Sequence, residues 1–362
     1  MSTALSQDTW PVISVSNLRK RFNLEAGFFA PLGRYVHAVN GVSFSIGKNE
    51  AYGLVGESGC GKTTTARLLV RMYEADEGEI FFHDGNAMDG NNSGSIRDVR
   101  KLKGQDFKRY RERVKYIFQD PARSLNPRMT VHEVLTSGAK WSTGTHNPVS
   151  LREDAAKILE EVGLSAADLE RRPAEFSGGQ RQRISIARGL IRKPNLLICD
   201  EVVSALDVSI QGQILNLLLD LRNSRRSSGE EISFLFIAHD LKVASYFCDR
   251  IGVMYRGEIM EEASAQSLWK NHLHPYTELL FSSINRGEDA ASEPAPERPA
   301  TLSERPASFA ALSDEGCSFV SRCPYAKTEC FKEKPPLQAA AQQTAAQQAT
   351  GEGHLVRCWK NS

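Results

Sequence analysis

Residues 56–63 read GESGCGKT, directly after the apolar run YGLVG (52–56) and directly before TTTARLLVRMY (63–73). No other segment constrains the chain as tightly. The spacing G-x-x-x-x-G-K-[ST] between a strand and a helix is the pattern of a phosphate-binding loop. Gly56, Gly59 and Gly61 let the backbone curl until its amides point inward at phosphate oxygens, with Glu57, Ser58 and Thr64 completing the cradle. Cys60 occupies a variable position and reads as a small filler. Lys62 reaches the outer phosphates as a point charge, and Thr63 offers its hydroxyl to Mg²⁺. An ordinary glycine-rich turn is the competing reading, and the strand–loop–helix context disfavours it.

Strand-like and helix-like patterns alternate from about 12 to 285. NLLICD (195–200), ISFLFIA (232–238) and RIGVMYRG (250–257) read as strands. The first is nearly all apolar, as a parallel strand buried on both faces should be. GGQRQRISIARGLI (178–191) reads as a helix that stops before Pro194. This alternation predicts an α/β domain. LLICDE (196–201) then supplies the acids that a nucleotide site needs. Asp200, at the exposed end of a buried strand, is the second Mg²⁺ anchor, and Glu201 is placed to polarise an attacking water. Two acids that merely end a strand are the bland alternative; beside the phosphate loop they point to a P-loop NTPase that takes ATP and Mg²⁺.

At 362 residues the chain holds one large domain with an appendage, and a 41% hydrophobic content supports a real core. Lys+Arg 45 against Asp+Glu 44 leaves +1, which gives no electrostatic footprint for nucleic acid. The basic stretch KLKGQDFKRYRERVKY (101–116) reads as a solvated helix face. Phe28, Phe29 and Tyr35 form either a partner contact or a local cluster. The start MSTALSQDTWPVISV lacks a signal-peptide pattern, and no apolar run approaches the ~18 residues of a membrane span. A soluble cytoplasmic chain is expected, with any membrane link made through a partner. Pro-, Ala-, Ser- and Glu-rich sequence sets a linker over 286–313 between a nucleotide-binding domain (12–285) and a Cys-bearing tail (314–362). QAAAQQTAAQQATG (338–351) reads as a low-complexity loop.

FSGGQ (176–180), followed by RQRISIARGL and LLICDE, resembles the signature of ABC-type ATPases, with Phe176 where the usual form has Leu. Other elements of that family match in order: Phe22 in LRKRF for the aromatic that stacks on adenine, Gln119 in YIFQDP, SALD (204–207) and His239 in FIAHD. Val202 stands where the family usually has Pro. The resemblance implies a parallel core sheet, an antiparallel β subdomain and a helical signature subdomain. It also implies a head-to-tail pair, each ATP lying between one phosphate loop and Ser177, Gly178, Gly179 and Gln180 of the other copy. Glu201 would then orient or deprotonate water and His239 contact the γ-phosphate. Gln119 would sense that phosphate and its Mg²⁺ beside a groove facing membrane subunits.

Cys60, Cys199 and Cys248 are scattered and read as reduced thiols. The other four run Cys317-x₅-Cys323-x₆-Cys330-x₂₇-Cys358. Four thiolates suit zinc or an iron–sulfur cluster, though the spacings are wider than usual zinc pairs, and a tail without metal is also open. RCPYA, KPPL and HLVRCW resemble the C-terminal extension of oligopeptide/dipeptide-type ABC importer ATPases, as do RRPAEFSGGQRQR and the insert FNLEAGFFAPLGRYVHAVNGVSF (22–44). That resemblance implies a structural [4Fe-4S] cluster on Cys317, Cys323, Cys330 and Cys358, with His354 left to packing. It implies an energising subunit for uptake of di-/oligopeptides or related solutes such as nickel complexes, opines or sugars. The implied partners are a second, sister ATPase subunit, two integral-membrane permease subunits and an extracytoplasmic solute-binding protein. The implied place is the cytoplasmic face of the bacterial inner membrane. Two alternatives compete. A soluble ABC ATPase acting on nucleic acid or the ribosome would carry tandem ATPase domains or a long coiled coil, and neither pattern is present. A regulatory subunit with a dead site would lack some of Lys62, Asp200, Glu201 and His239, and all four are present.

Overall fold

The computed structural model describes residues 10–23, 35–84, 95–138, 147–285, 316–340 and 353–361. The linker, Phe28, Phe29 and most of the 338–351 loop lie outside them. The strands are β1 (Ile13–Asn23), β2 (Tyr35–Ile46), β3 (Ala51–Val55), β4 (Glu77–Asp84), β5 (Ser95–Asp98), β6 (Val114–Ile117), β7 (Leu196–Asp200), β8 (Ser233–Ala238), β9 (Arg250–Tyr255), β10 (Glu258–Ser264), β11 (Gln338–Ala339) and β12 (Leu355–Val356). The helices are α1 (Lys62–Leu69), α2 (Gly104–Arg113), α3 (Pro121–Ser124), α4 (Val131–Thr136), α5 (Pro148–Glu161), α6 (Gly178–Leu190), α7 (Val208–Ser227), α8 (Leu241–Phe247), α9 (Ala265–Lys270), α10 (Pro275–Asn285) and α11 (Thr328–Lys332). Two compact units share the chain. One takes residues up to Lys20, Gly41–Tyr52 and Thr63–Ala238; the other takes Arg21–Asn40, Gly53–Lys62 and everything from His239 on.

In the first unit β6, β7 and β8 run parallel, with Val114 opposite Leu196 and Leu196 opposite Ser233. Every residue of β7 and β8 is buried, which is why both segments are apolar on both faces. β4 lies antiparallel between β1 and β5, with Ile13 opposite Phe82 and Phe82 opposite Arg97. Helices α4, α5 and α6 bury Val131, Val134, Leu135, Ala155, Ile158, Leu159, Ile184 and Leu190 to form the expected helical subdomain. The basic stretch becomes α2 and β6. Its charged side chains are exposed or half-buried, while Val114 and Tyr110 are buried, and Tyr110 donates to Leu69 O at 2.6 Å.

Helix α1 stops at Leu69, four residues short of the expected stretch through Tyr73. No Gly or Pro ends it. Arg71 takes φ +53°, and the bonds Arg71 N to Leu68 O (3.0 Å) and Met72 N to Arg67 O (2.9 Å) close a Schellman turn. The Arg71 guanidinium stabilises this costly conformation by donating to Val99 O (3.1 Å) and Leu102 O (2.6 Å).

In the second unit β9 and β10 form a hairpin whose two turn residues, Arg256 and Gly257, both have positive φ (44° and 81°), as a type I′ turn requires. β10 pairs with β12, and β12 with β11. The expected loop over 338–351 therefore begins in a strand: Gln338 and Ala339 pair with Val356 and Leu355. The tail is tied down by carboxylates. Glu258, Glu261 and Glu262 on β10 are all buried, and a buried carboxylate demands partners. Glu258 receives Asn40 Nδ2 (3.0 Å), Ser318 and Lys334. Glu262 pairs with Arg250. Glu261 accepts Leu273 N (2.7 Å) and His274 N (3.0 Å) and lies 2.6 Å from His354 Nε2. His354 thus does more than the packing expected of it. Tyr35, at the start of β2, lies under the Arg21 guanidinium at 4.9 Å. Among the described residues no helix is long and apolar enough to cross a membrane.

Candidate active site

The loop between β3 and α1 is pressed against neighbouring backbone. A Cβ at Gly56 would stand 2.1 Å from Met254 O, and one at Gly61, where φ is +110°, would stand 2.0 Å from Ala38 O. Only glycine fits either place. Lys62 is buried, and its ammonium sits inside the curl, donating to Gly56 O (2.7 Å) and Glu57 O (3.0 Å). Cys60 is buried beside it, 3.7 Å from Lys62 Nζ, and burial pushes its thiol pKa up, so it remains the inert filler expected. Ser58 and Gly59 are exposed at the loop's crest, and Thr64 is half-buried on α1. Glu57 is held twice. Its amide donates to Tyr276 Oη (2.9 Å), and its carboxylate takes a two-bond grip from Arg322, both bonds 2.8 Å. The Arg322 guanidinium holds the Glu57 pKa below the usual carboxylate range.

In the first unit Thr63 Oγ1 donates to Asp200 Oδ1 at 2.9 Å, and Tyr116 Oη donates to Oδ2. A hydroxyl and a carboxylate side by side at the end of a buried strand are the hard oxygen donors that Mg²⁺ takes, so these residues fit that ion in kind. One residue on, Glu201 adopts φ +48°, a left-handed conformation that costs a non-glycine residue on the order of 1 kcal/mol. Four bonds retain it: Glu201 N to Ile237 O (3.1 Å), Ser204 N (3.1 Å) and Ser204 Oγ (2.8 Å) to Glu201 O, and Gln119 Nε2 to Glu201 Oε2 (2.7 Å). Val202, where the family has Pro, is buried and removes no polar group. The structure thus sets two bonded pairs side by side, Thr63 with Asp200 and Gln119 with Glu201, on consecutive residues at the end of β7.

The remaining candidates are each presented by a separate element. Ser177 caps α6: its Oγ accepts from Gln180 N (3.3 Å), while Gln180 Oε1 accepts from Ser177 N (3.0 Å). The amides of Gly178 and Gly179 belong to the first helical turn, which has no intrahelical acceptor for them. Phe176 is buried under the Arg171 guanidinium, 4.2 Å from its ring centre, which accommodates the larger side chain in place of Leu. Phe22 is half-exposed near the end of β1, and His239 is exposed directly after β8.

In the tail, Cys317, Cys323, Cys330 and Cys358 all line one cavity of about 20 Å³, together with Lys327 and Lys360. Burial first, and the other three thiols after it, push Cys317 up to about 11. Four soft donors with two cations beside them fit a four-thiolate iron–sulfur group in kind and number. As they stand, however, no three His, Cys, Asp or Glu side chains among the described residues are placed to hold a metal ion.

Four contributors escaped the sequence reading. Ser204 lay inside the recognised SALD run, and Tyr116 stood three residues before Gln119 in the strand that carries it; either had a signal to follow. Tyr276 and Arg322 reach Glu57 across more than two hundred residues of chain, and nothing local marks them.

Comparisons with known proteins agree with this geometry. The family described as ABC transporter matches residues 39–204, and that described as Oligopeptide/dipeptide transporter, C-terminal region, matches 260–330. The second match begins within β10, upstream of the tail boundary expected at 314. The oligopeptide transport ATP-binding protein AppF of Bacillus subtilis is 40% identical over 343 residues, covering 94% of this chain and 96% of that protein. A putative peptide import ATP-binding protein of Brucella ovis is 41% identical over 328 residues, covering 91% and 94%. In fold, the chain is similar to the dimeric ATP-binding cassette MJ0796 bound to ADP and phosphate, with a TM-score of 0.56 at 24% identity over 70% of this chain and 98% of the other. Identity at this level along nearly the whole length, on a chain that carries the phosphate-loop pattern, places it in the ABC transporter family, among its ATP-binding proteins.

Proposed function

We propose that this chain binds and hydrolyses ATP to energise an importer of di-/oligopeptides or related small solutes, working as one half of a head-to-tail pair. The observation that carries the reading is that Thr63 bonds Asp200 and Gln119 bonds Glu201, held at positive φ one residue on, an arrangement that suits a metal-binding carboxylate next to a water-activating one. Loop amides and Lys62 hold the phosphates in line. Mg²⁺, when bound at Thr63 and Asp200, supplies charge neutralisation on the phosphate oxygens. Glu201 takes the proton of the attacking water, and Gln119, bonded to its carboxylate, registers what occupies the γ position. His239 orients the water and the γ-phosphate. Ser177, Gly178, Gly179 and Gln180 offer helix-terminal amides to the nucleotide of the facing copy, so each half completes the other's site. Phe22 stacks on the adenine.

The substrate class rests on the names of the relatives, one an oligopeptide transport and one a peptide import protein. The facing copy is a sister ATPase subunit. Two integral-membrane permease subunits and an extracytoplasmic solute-binding protein complete the assembly at the cytoplasmic face of the bacterial inner membrane; nucleic acid has no part in it. A groove of about 720 Å³ lined by Met72, Phe107, Phe118, Leu135 and Arg188 offers a permease helix both apolar and cationic contacts. Cys317, Cys323, Cys330 and Cys358 ligate a structural [4Fe-4S] cluster; their convergence on one cavity supports this, and binding requires the thiols to spread and lose their protons.

The test is Glu201→Gln, which keeps the side chain's size and removes its basicity. With ATP and Mg²⁺ this variant should elute as a stable dimer with nucleotide trapped. A strictly monomeric protein turning over ATP at full rate, or rapid turnover by the variant, overturns the assignment.

A further inference from the structure

Asp200 is gripped from a side that none of the recognised motifs supplies. On β6 and β7, Tyr116 stands opposite Ile198. Residues two apart on a strand share a face, so Asp200 is the diagonal neighbour of Tyr116, within reach of an aromatic side chain. The phenol oxygen donates to Asp200 Oδ2 while Thr63 Oγ1 donates to Oδ1, so both carboxylate oxygens are held. Arg67 lies one helical turn beyond Thr63 on the same face of α1. Its guanidinium donates to Tyr73 Oη at 3.3 Å and lies close enough to Tyr116 for its charge to act on the phenol oxygen. The ring is wedged against Phe118 at 4.9 Å, so the hydroxyl cannot swing away freely.

We propose that Tyr116 is a positioning residue of the metal-binding site: backed by Arg67, its hydroxyl fixes the Asp200 carboxylate in the orientation that presents an oxygen beside Thr63. An aspartate at a strand end otherwise rotates about two side-chain bonds, and each orientation it samples away from Thr63 weakens the metal site. Holding Oδ2 removes that freedom while leaving Oδ1 on the Thr63 side. The inference rests on the proposed reading of Asp200 and Thr63 as Mg²⁺ residues and adds a residue to it.

The experiment is Tyr116→Phe in the full-length chain, which deletes one hydroxyl and keeps the ring against Phe118. The Kd of a fluorescent ATP analogue is measured twice, in saturating Mg²⁺ and in EDTA. Loss of one hydrogen bond to a charged acceptor should weaken binding about tenfold in Mg²⁺ and leave the EDTA value unchanged. Arg67→Met, which removes the charge behind Tyr116 together with the bond to Tyr73, should shift the Mg²⁺ value in the same direction by less. If wild type and Tyr116→Phe gain equally from Mg²⁺, or if the variant loses affinity equally in both conditions, Tyr116 does not position the metal carboxylate. If wild type itself gains nothing from Mg²⁺, the reading of Thr63 and Asp200 falls first and the inference with it.

Discussion

Replacing Arg322 with Ala tests whether the tail stiffens the phosphate loop. The side chain makes two 2.8 Å bonds to Glu57, with both partners 38% exposed. Exposed ion pairs couple by roughly 0.2–1 kcal/mol, and the two-bond geometry places this one near the upper end, at about 1 kcal/mol after solvent screening. Arg322 also lies 5.8 Å from the ring centres of Tyr255 and Phe319, so truncation removes packing as well as charge. A cycle of Arg322→Ala, Glu57→Ala and the double variant separates the two effects. Glu57 is the second residue of the loop, and its amide is tied to Tyr276, so freeing its carboxylate loosens backbone that must stay ordered around phosphate. Each single variant should weaken ATP binding about fivefold, as ~1 kcal/mol implies, and the double variant should be little worse than either. Raising NaCl to about 1 M should shrink the difference from wild type, because screening weakens the same bond. Strictly additive losses, or an Arg322→Ala protein that binds ATP as wild type does while Glu57→Ala does not, would show that the grip is incidental to the loop.

Two further outcomes follow from the second unit. His274 is buried and its pKa lowered to about 4 by desolvation, against the Glu261 charge and the Arg357 backbone, which pull it up, and its Nδ1 accepts Tyr276 N at 3.0 Å only while unprotonated. The unfolded chain takes up a proton below about 6.5 that the folded chain refuses, so stability is full above that pH and falls as pH drops toward 4, by about 3 kcal/mol. Melting temperatures measured from pH 7.5 down to 5 should fall faster for wild type than for His274→Asn, which keeps an acceptor without the titration; parallel curves refute the assignment. For the tail, protein purified anaerobically should be brown and carry iron at about four per chain, and Cys323→Ser should lose both. Colourless, iron-free wild-type protein removes the cluster from the account.

The elements that could be read from sequence are those whose cause is local. NLLICD announces a strand because both its faces are buried, and the structure puts all of β7 at near-zero exposure. Helix α6 begins where Ser177 and Gln180 close a capping box, a signal contained in four consecutive residues. By contrast, RIGVMYRG looked like one strand through Gly257, yet the chain turns at Arg256 because a left-handed Arg next to Gly completes a two-residue hairpin. The early end of α1 is equally invisible, since Arg71 takes its conformation from carbonyls at Val99 and Leu102 that are close only once the fold exists.

The site divides along the same line. Phosphate chemistry dictates backbone shape and charge at adjacent positions, so Gly56 to Thr63 and Asp200 to Glu201 stand out in one dimension. Nothing in EIMEEAS warns that three glutamates of β10 go inside. Their burial is possible because each has a counterpart: Lys334 and Ser318 for Glu258 and His354 for Glu261 from far along the chain, and Arg250 for Glu262 from the paired strand β9. Removing one partner strands a carboxylate in a dry place, which costs several times what the bond itself contributes. The tail therefore holds to β10 through charges that tolerate no vacancy, and the four cysteines it carries are fixed in the same unit as the loop that Arg322 grips.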